Sequence, residues 1–273
     1  MALEDLLLKL PRHLVSQIKE EADDRPIFNS ADSSTAGGLQ RNRRVYSDLS
    51  SFLSDSQFDR LVDPTNKAAP FVVVDKAIED ADLCRRARQE AECLRTAGRF
   101  RHASFGGGSS KSVDTRTRSD EIVWIRQQDL SELPACTQIV SLFEEIGVAI
   151  GKGFTRLGEN LEVEQTELQL SVYPKGTAGY AAHKDTGPVS GADRFLTAIL
   201  YLNEDWKPEC GGCLRLHLDA CRVDISPCVG KLVLFRSEQL EHSVLPVACA
   251  DRFAVTCWFS VRRRAAGRSG IVK

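Results

Sequence analysis

The stretch RFAVTCWFS, residues 252–260, contains the last of seven short runs of strand-forming residues that begin at residue 167. Turn signals separate the runs, which are ELQLSVYP, FLTAILYL, CLRLHL, CRVDI, GKLVLF, LEHSVLP and FAVTCWF. Upstream, residues 79–98 and 137–157 have the apolar pattern of helices. Helices followed by a series of short strands predict an α+β fold. In it, N-terminal helices flank a jelly roll, a double-stranded β-helix of about eight strands.

An arginine opens the last run. Arg252 shares one face of the predicted strand with Thr256 and Trp258, because side chains alternate along a strand. A strand that is apolar on both faces rarely holds an arginine unless the guanidinium binds an anion. A guanidinium and a hydroxyl on one wall suit a carboxylate at the end of a bound dicarboxylic acid. The alternative is an ion pair between Arg252 and Asp251 or Glu241.

The segment GYAAHKDTG, residues 179–187, places His183 and Asp185 two positions apart. On an extended chain the two side chains face a common spot. Two histidines and one carboxylate on one face hold iron(II) in oxygen-activating enzymes and leave coordination positions open. A second histidine is then needed farther along the chain. Without one, the pair is a core histidine that lies near an aspartate by chance.

His242 is the better candidate for this second histidine, and His217 is its competitor. His13 and His102 belong to other parts of the chain. His217 alternates with leucines, which favours a solvent-facing side chain. His242 follows the buried-looking run GKLVLF, and a jelly roll brings such a late strand beside an early one.

Composition excludes several classes of protein. A net charge of −2 and a pI near 6.2 argue against a nucleic-acid-binding or membrane-surface protein. No segment approaches the roughly 20 apolar residues of a membrane span. The amino terminus has acidic residues and a broken leucine run, unlike a secretory signal. Nine cysteines, an odd number, then indicate a reducing compartment. We expect a cytoplasmic monomer, with the nucleus as a second location.

Two glycine-containing motifs have competing interpretations. CGGC, residues 210–213, together with Cys221 and Cys228, is compatible with a zinc site or a redox pair, but Cys213 also fits a strand. FGGGSSK, residues 105–111, lacks the spacing of a phosphate-binding loop and is better explained as a mobile flap.

Together, these motifs resemble the iron(II)/2-oxoglutarate-dependent oxygenases. The detailed similarity is to prolyl 4-hydroxylases of the intracellular oxygen-sensing type, which act on hypoxia-inducible factor, and to their protist relatives. It covers about residues 70–260. The segments that carry it are YPKGTAGYAAHKD, YLNEDW, GGCLRL, GKLVLF, HSVLPV, RFAVTCWF and, upstream, RTRSDEIVWI. Departures are Cys213 in place of an aliphatic residue and a longer PVACADR loop before Arg252.

The resemblance implies a set of cofactors and the residues that bind them. Iron(II), 2-oxoglutarate and dioxygen would be used, with ascorbate as reductant. The implied catalytic iron ligands are His183, Asp185 and His242. Arg252, assisted by Tyr201, would anchor the distal carboxylate of 2-oxoglutarate. Further pocket residues would be Tyr173, Thr256, Leu214 and Trp258.

The resemblance also implies a protein substrate with a target proline. Its contacts would be Arg194, Asp120, Arg118 and Trp124, although Arg194 and Asp120 could equally form surface salt bridges. The substrate would be the adaptor subunit of SCF-type ubiquitin ligases or, alternatively, a hypoxia-inducible factor. Two further alternatives are an oxygenase with another target, such as lysine or a small molecule, and a non-catalytic interaction module.

The chain divides into three predicted regions. Residues 1–65 form an N-terminal extension with a helix at 3–21 and a polar linker at 29–44. Residues 66–262 form the oxygenase domain, and residues 263–273 form a basic tail.

Overall fold

A computed structural model describes residues 49, 53–66, 68–103, 113–185, 188–189 and 192–263. The side chains of residues 165, 166, 188, 189, 192 and 193 are not described. The helix predicted at 3–21, the linker at 29–44, the flap at 105–111 and the tail after residue 263 lie outside this part of the chain.

Within the described residues, the helices come first and the strands dominate the second half. The α-helices are α1 (Asp55–Val62), α2 (Ala81–Thr96) and α3 (Pro134–Arg156), and the 3₁₀ helices are Gln127–Glu132 and Pro208–Cys210. The strands are β1 (Phe71–Val74), β2 (Arg101–His102), β3 (Glu121–Trp124), β4 (Leu161–Tyr173), β5 (Tyr180–His183), β6 (Pro188–Val189), β7 (Ala192–Tyr201), β8 (Leu214–His217), β9 (Arg222–Ile225), β10 (Leu232–Arg236), β11 (Glu241–Val244) and β12 (Arg252–Arg263).

The strands form two antiparallel sheets. The larger has the order β1-β10-β7-β12-β4-β3-β2, with β6 paired to β7, and the smaller has the order β5-β11-β8-β9. From β4 to β12 the chain crosses repeatedly between the two sheets, as in a jelly roll. The predicted α+β class with a double-stranded β-helix core is confirmed, and each of the seven predicted runs forms a strand.

The central strands of the larger sheet have one apolar face and one face that includes buried polar residues. In β4, Leu168, Leu170 and Val172 are at most 1% exposed and belong to the main hydrophobic core. The residues between them are polar, yet they are also buried: Glu167, Gln169, Ser171 and Tyr173. β12 follows the same rule, with Phe253, Val255, Cys257 and Phe259 in the main core. A period of two therefore separates a core face from a polar face that looks between the sheets.

Helix α3 covers the core face. Its buried residues include Ile139, Phe143, Ile146 and Ile150, which recur at helical spacing. Burial of each such side chain contributes about 1.5–3 kcal/mol. The Glu90 carboxylate on α2 accepts hydrogen bonds from the backbone N–H groups of residues 135 and 136, at 2.7 and 2.9 Å, and so caps the start of α3.

Helix α1 packs into this same core. Phe58, Leu61 and Val62 are at most 2% exposed, and Arg156 of α3 binds Asp59 at 2.6 Å. The predicted division at residue 65 follows this helix. None of the helices in the described residues has both the length and the apolar character needed to cross a lipid bilayer.

Candidate metal centre and carboxylate pocket

Three potential metal ligands meet where two strands pair. The antiparallel register of β5 and β11 places His183 opposite His242, and Asp185 follows β5 by two residues. Nε2 of His183 lies 3.6 Å from Oδ1 of Asp185, and Nε2 of His242 lies 3.8 Å from Oδ2. The potential ligand atoms lie within 4.8 Å of one another. Among the described residues, no other group of His, Cys, Asp and Glu has this arrangement.

Both imidazole rings have the orientation that a metal ligand requires. Nδ1 of His183 lies 2.8 Å from the carbonyl oxygen of Ala181, and Nδ1 of His242 lies 3.2 Å from that of Leu240. Because a carbonyl oxygen can only accept, each Nδ1 carries the proton. Each Nε2 then presents its lone pair to the common centre.

Burial and neighbouring groups favour the protonation states that bind a cation. Burial lowers the pKa of His242 to about 4 although Asp185 opposes the shift, so the imidazole is neutral near pH 7. Burial acts to raise the pKa of Asp185, but His242 and His183 outweigh it and hold that pKa well below its usual range. An ionised carboxylate and a neutral imidazole need lose no proton before they bind a metal.

The competing histidine has a different partner. Nε2 of His217 lies 2.9 Å from the Ser243 hydroxyl oxygen, on the neighbouring strand β11. His217 therefore lies outside the group of His183, Asp185 and His242.

Two hydrogen bonds fix the Asp185 carboxylate. Its Oδ2 accepts from the Thr197 hydroxyl at 2.8 Å and from the Trp258 indole N–H at 3.0 Å. Ser237 in turn lies 2.9 Å from the Thr197 hydroxyl oxygen, and both are fully buried. Because both hydrogen bonds go to Oδ2, Oδ1 is the oxygen left for a metal. Sequence reasoning missed Thr197 and Ser237, although Thr197 shares the inward face of β7 with Tyr201.

Arg252 lies at the start of β12 and is 2% exposed. Its Nε donates to the carbonyl oxygen of Gly212 at 2.7 Å. Asp251, one of the two suggested ion-pair partners, instead binds Arg95 at 2.7 Å. No carboxylate in the described residues pairs with Arg252, which leaves its two terminal nitrogens for an anion.

Two tyrosine rings enclose the Arg252 guanidinium. Its Cζ lies 5.1 Å from the ring centroid of Tyr173 and 4.9 Å from that of Tyr201. The Tyr201 hydroxyl is buried beside the Arg252 guanidinium and makes no well-formed hydrogen bond in the described part of the chain. Burial raises the pKa of Tyr201 to about 12 despite the nearby cation, so the hydroxyl keeps its proton and can donate. A buried cation beside an orphaned donor fits a carboxylate ligand such as one end of 2-oxoglutarate.

The other predicted pocket residues lie on the same inward faces. Thr256 is 7% exposed and follows Arg252 on the polar face of β12. Leu214 is buried in an apolar cluster that also contains Tyr201. Trp258, predicted as an apolar wall, has the additional role of donor to Asp185.

The predicted substrate residues fall into two groups, Arg118 with Asp120 in one and Arg194 with Trp124 in the other. Arg118 binds both carboxylate oxygens of Asp120, at 2.8 and 2.9 Å, and its Cζ lies 4.7 Å from the ring centroid of Tyr180. Tyr180 stacks on His183 with centroids 3.6 Å apart. Arg194 forms an ion pair with buried Glu167. Trp124 packs against Trp258, with ring centroids 5.8 Å apart.

The two glycines of the CGGC motif allow a backbone conformation that other residues rarely adopt. All nine cysteines are free thiols, and none belongs to a metal-binding group in the described residues. Gly211 and Gly212 have φ values of +63° and +65°, which glycine adopts most readily. A Cβ atom on Gly211 would lie 2.3 Å from the carbonyl oxygen of Pro246. The glycines therefore let the chain pass close to Arg252.

Comparisons with known proteins agree with this geometry. Residues 168–260 match the family model described as the 2OG-Fe(II) oxygenase superfamily. A prolyl-4-hydroxylase from Pseudomonas putida is 30% identical in sequence, with a TM-score of 0.61 over 75% of this chain and 97% of that one. The chain belongs to this superfamily, among its prolyl hydroxylases.

Two further relatives support the assignment to the prolyl hydroxylases. The hydroxylase of Trichoplax adhaerens, solved in complex with a peptide fragment of hypoxia-inducible factor, is 26% identical, with a TM-score of 0.62 over 78% of this chain and 94% of that one. Egl nine homolog 1 of Mus musculus is 32% identical over 177 residues, which are 62% of this chain. The chain spans only 42% of the length of that mouse protein.

Proposed function

We propose that this chain is a peptidyl-prolyl 4-hydroxylase that uses iron(II), 2-oxoglutarate and dioxygen. The observation that carries the proposal is the pairing of two sites between the sheets. One site is the group of His183, Asp185 and His242. The other is Arg252, which has no carboxylate partner among the described residues, beside the buried hydroxyl of Tyr201. A metal centre and a dicarboxylate pocket in one barrel are what this chemistry requires.

His183, Asp185 and His242 would hold the iron and leave positions open for 2-oxoglutarate and dioxygen. When these groups are bound, decarboxylation of 2-oxoglutarate to succinate and carbon dioxide accompanies insertion of one oxygen atom into a C–H bond. The protein must position the substrate carbon and exclude water from the reaction.

Arg252 and Tyr201 would bind the distal carboxylate of 2-oxoglutarate. The guanidinium can donate two parallel hydrogen bonds, and the tyrosine hydroxyl a third. Tyr173 and Thr256 would line the same pocket, and Leu214 and Trp258 would enclose the carbon chain. This arrangement selects a ligand with carboxylates at both ends, since one end must reach the metal.

Arg118, Asp120, Arg194 and Trp124 would form the side of the pocket that receives the peptide. The Arg118–Asp120 ion pair supports Tyr180, whose ring lies between Arg118 and His183. Arg194 already has a carboxylate partner in Glu167, so its contribution to a peptide contact would be to hold the Trp258 ring in place.

The target would be a proline of a regulatory protein in the cytosol or nucleus. The adaptor subunit of SCF-type ubiquitin ligases is the candidate from the sequence. A peptide of the hypoxia-inducible-factor type is the second candidate, because the Trichoplax adhaerens relative was solved with such a fragment. We propose that the enzyme acts as a monomer, with ascorbate as reductant.

Incubation of the purified chain with iron(II), 2-oxoglutarate, ascorbate and each candidate peptide tests this proposal. We expect succinate release that depends on peptide and a 16 Da mass increase at one proline, the mass of the inserted oxygen atom. His183→Ala is the inactive control, and Arg252→Ala should mainly raise the concentration of 2-oxoglutarate needed. Hydroxylation of a lysine or a small molecule would redirect the proposal, and absence of succinate with every substrate in cell lysate would overturn it.

A further inference from the structure

An ion pair between a partly buried arginine and a fully buried glutamate lies beside the candidate metal centre. Glu167 is 0% exposed and lies on the inward face of β4. Arg194 of β7 donates from Nε and Nη2 to the same oxygen, Oε2, at 2.6 Å each. The second oxygen of Glu167, Oε1, is buried without a hydrogen-bond partner in the described residues.

Fold stability does not account for this pair. A buried ion pair must overcome the cost of removing two charges from water, and apolar residues of similar volume often serve stability better. This pair also lacks the two-oxygen geometry that makes an arginine–carboxylate contact strong. Its position next to the proposed active site therefore calls for a functional explanation.

The pair contacts the metal centre through one aromatic residue. The Arg194 Cζ lies 4.0 Å from the ring centroid of Trp258, within the range of a cation–π contact. The indole N–H of Trp258 donates to Oδ2 of Asp185 at 3.0 Å. Glu167, Arg194, Trp258 and Asp185 thus form a continuous series of contacts.

The series of contacts ends at one oxygen atom, Oδ2 of Asp185. Thr197 and Trp258 both donate to Oδ2, and Oδ1 faces Nε2 of His183. A carboxylate that is held through one oxygen presents the other oxygen in a fixed direction. Residues that hydrogen-bond to a metal ligand raise metal affinity in this way. Without the indole donor, the carboxylate could rotate about its Cβ–Cγ bond.

We propose that Glu167 and Arg194 are positioning residues for the metal centre. Glu167 holds the Arg194 guanidinium against the Trp258 ring, and the ring directs its N–H at Asp185. This inference rests on the proposed function only in requiring that His183, Asp185 and His242 bind a metal. It needs no knowledge of the substrate.

Cobalt(II) binding to the full chain tests the inference without turnover. The absorption spectrum of bound cobalt(II) reports ligand geometry, and titration gives a dissociation constant. Three variants interrupt the series at different points. Trp258→Phe removes only the donor. Glu167→Gln removes the charge that holds Arg194. The double variant Glu167→Leu with Arg194→Met removes the pair together, so no single charge is left buried.

Glu162→Gln is the matched control. Glu162 lies on the same strand and also binds an arginine, Arg262, but this pair is exposed and lies far along the sheet from the metal ligands. Thermal unfolding of every variant establishes which of them fold.

We expect Trp258→Phe to weaken cobalt(II) binding by about tenfold and to change the spectrum, since loss of a partner behind a metal ligand typically has effects of this size. The double variant should remain folded and show the same spectral change, and Glu162→Gln should match the wild type. If the wild type binds cobalt(II), and Trp258→Phe and the double variant bind it with the same affinity and the same spectrum, the inference alone is overturned. Failure of the wild type to bind cobalt(II) would overturn the metal site and the inference together. Altered binding in the variants of a protein that hydroxylates no proline would support the inference and overturn the proposed function.

Discussion

Arg252 donates its Nε hydrogen to the carbonyl oxygen of Gly212, 40 residues earlier in the chain, at 2.7 Å. The contact joins the start of β12 to the loop before β8, so a backbone carbonyl holds the side chain that we propose binds the anion. Gly212 also touches Arg252 directly: a Cβ atom there would lie 3.1 Å from its Cδ. Gly212 thus fixes the orientation of the Arg252 guanidinium and limits the space available to the Arg252 side chain.

We expect Gly212→Ala to weaken 2-oxoglutarate binding. Alanine at φ +65° is strained by about 1–3 kcal/mol, and its Cβ would displace Arg252. A displacement costing about 1.4 kcal/mol of binding energy lowers affinity tenfold. Gly158→Ala is the control, because Gly158 has φ +77° with nothing within 4 Å of an added Cβ. Calorimetric titration should show reduced affinity in the first variant only, and equal affinity in both would contradict the role of Gly212.

Asp185→Ala should abolish metal binding and the decarboxylation of 2-oxoglutarate, whereas His217→Ala should retain both. Asp185 would supply a ligand oxygen, but Nε2 of His217 lies 2.9 Å from the Ser243 hydroxyl oxygen and His217 is not part of the proposed ligand group. Metal content after dialysis and succinate release are the measurements. Loss of metal from His217→Ala with retention in Asp185→Ala would reverse the ligand assignment.

Tyr201→Phe separates a ligand contact from a contribution to folding. Among the described residues, the buried Tyr201 hydroxyl makes no well-formed hydrogen bond, and an unsatisfied buried hydroxyl costs about 1–3 kcal/mol. Its removal should therefore leave the free energy of unfolding of the ligand-free protein unchanged or higher. The same variant should bind 2-oxoglutarate about tenfold more weakly, because a hydrogen bond to a charged group is worth about 1.5–3 kcal/mol. A destabilised variant with normal 2-oxoglutarate affinity would show that the hydroxyl has a structural partner instead.

The register of β5 and β11 brings His183 and His242 together, and the sequence alone could only suggest this pairing. Period-two alternation identified β4, β7 and β12, and the His-x-Asp spacing identified one half of the ligand group. The choice between His217 and His242 depended on strand order, which is a long-range property. The Glu167–Arg194 pair was not predicted, since nothing local to β4 or β7 indicates that these residues meet. Helix α1 was not predicted; it falls within the predicted extension of residues 1–65, and its contact with α3 spans nearly a hundred residues.

Thiol reactivity should follow burial. Burial raises the pKa of Cys84 to about 12 and those of Cys136 and Cys257 well above the usual thiol range. The thiolate is the reactive form, so these three should resist iodoacetamide at pH 8. Exposed Cys93 and Cys221 should be alkylated first. Mass spectrometry of peptides during a time course measures this order, and early labelling of Cys257 would indicate that the sheet opens.

Below about pH 9 the Cys84 thiol is protonated in both the folded and the unfolded chain. Because its folded pKa is raised, the unfolded chain alone loses this proton as the pH rises from about 9 to about 12, and the free energy of unfolding should fall over that range.

The two faces of β4 and β12 limit how this protein can change. Over residues 167–173 of β4 and 252–259 of β12, the side chains alternate between the main core and the face between the sheets. A single inserted or deleted residue would exchange the two sets, placing Arg252 or Glu167 against α3 and leucines beside the metal ligands. A substitution on either strand therefore affects only the face on which that residue lies. Insertions and deletions are restricted to the loops. The proposed enzyme could then acquire new substrates only through changes in its loops, with the register of β4 and β12 preserved.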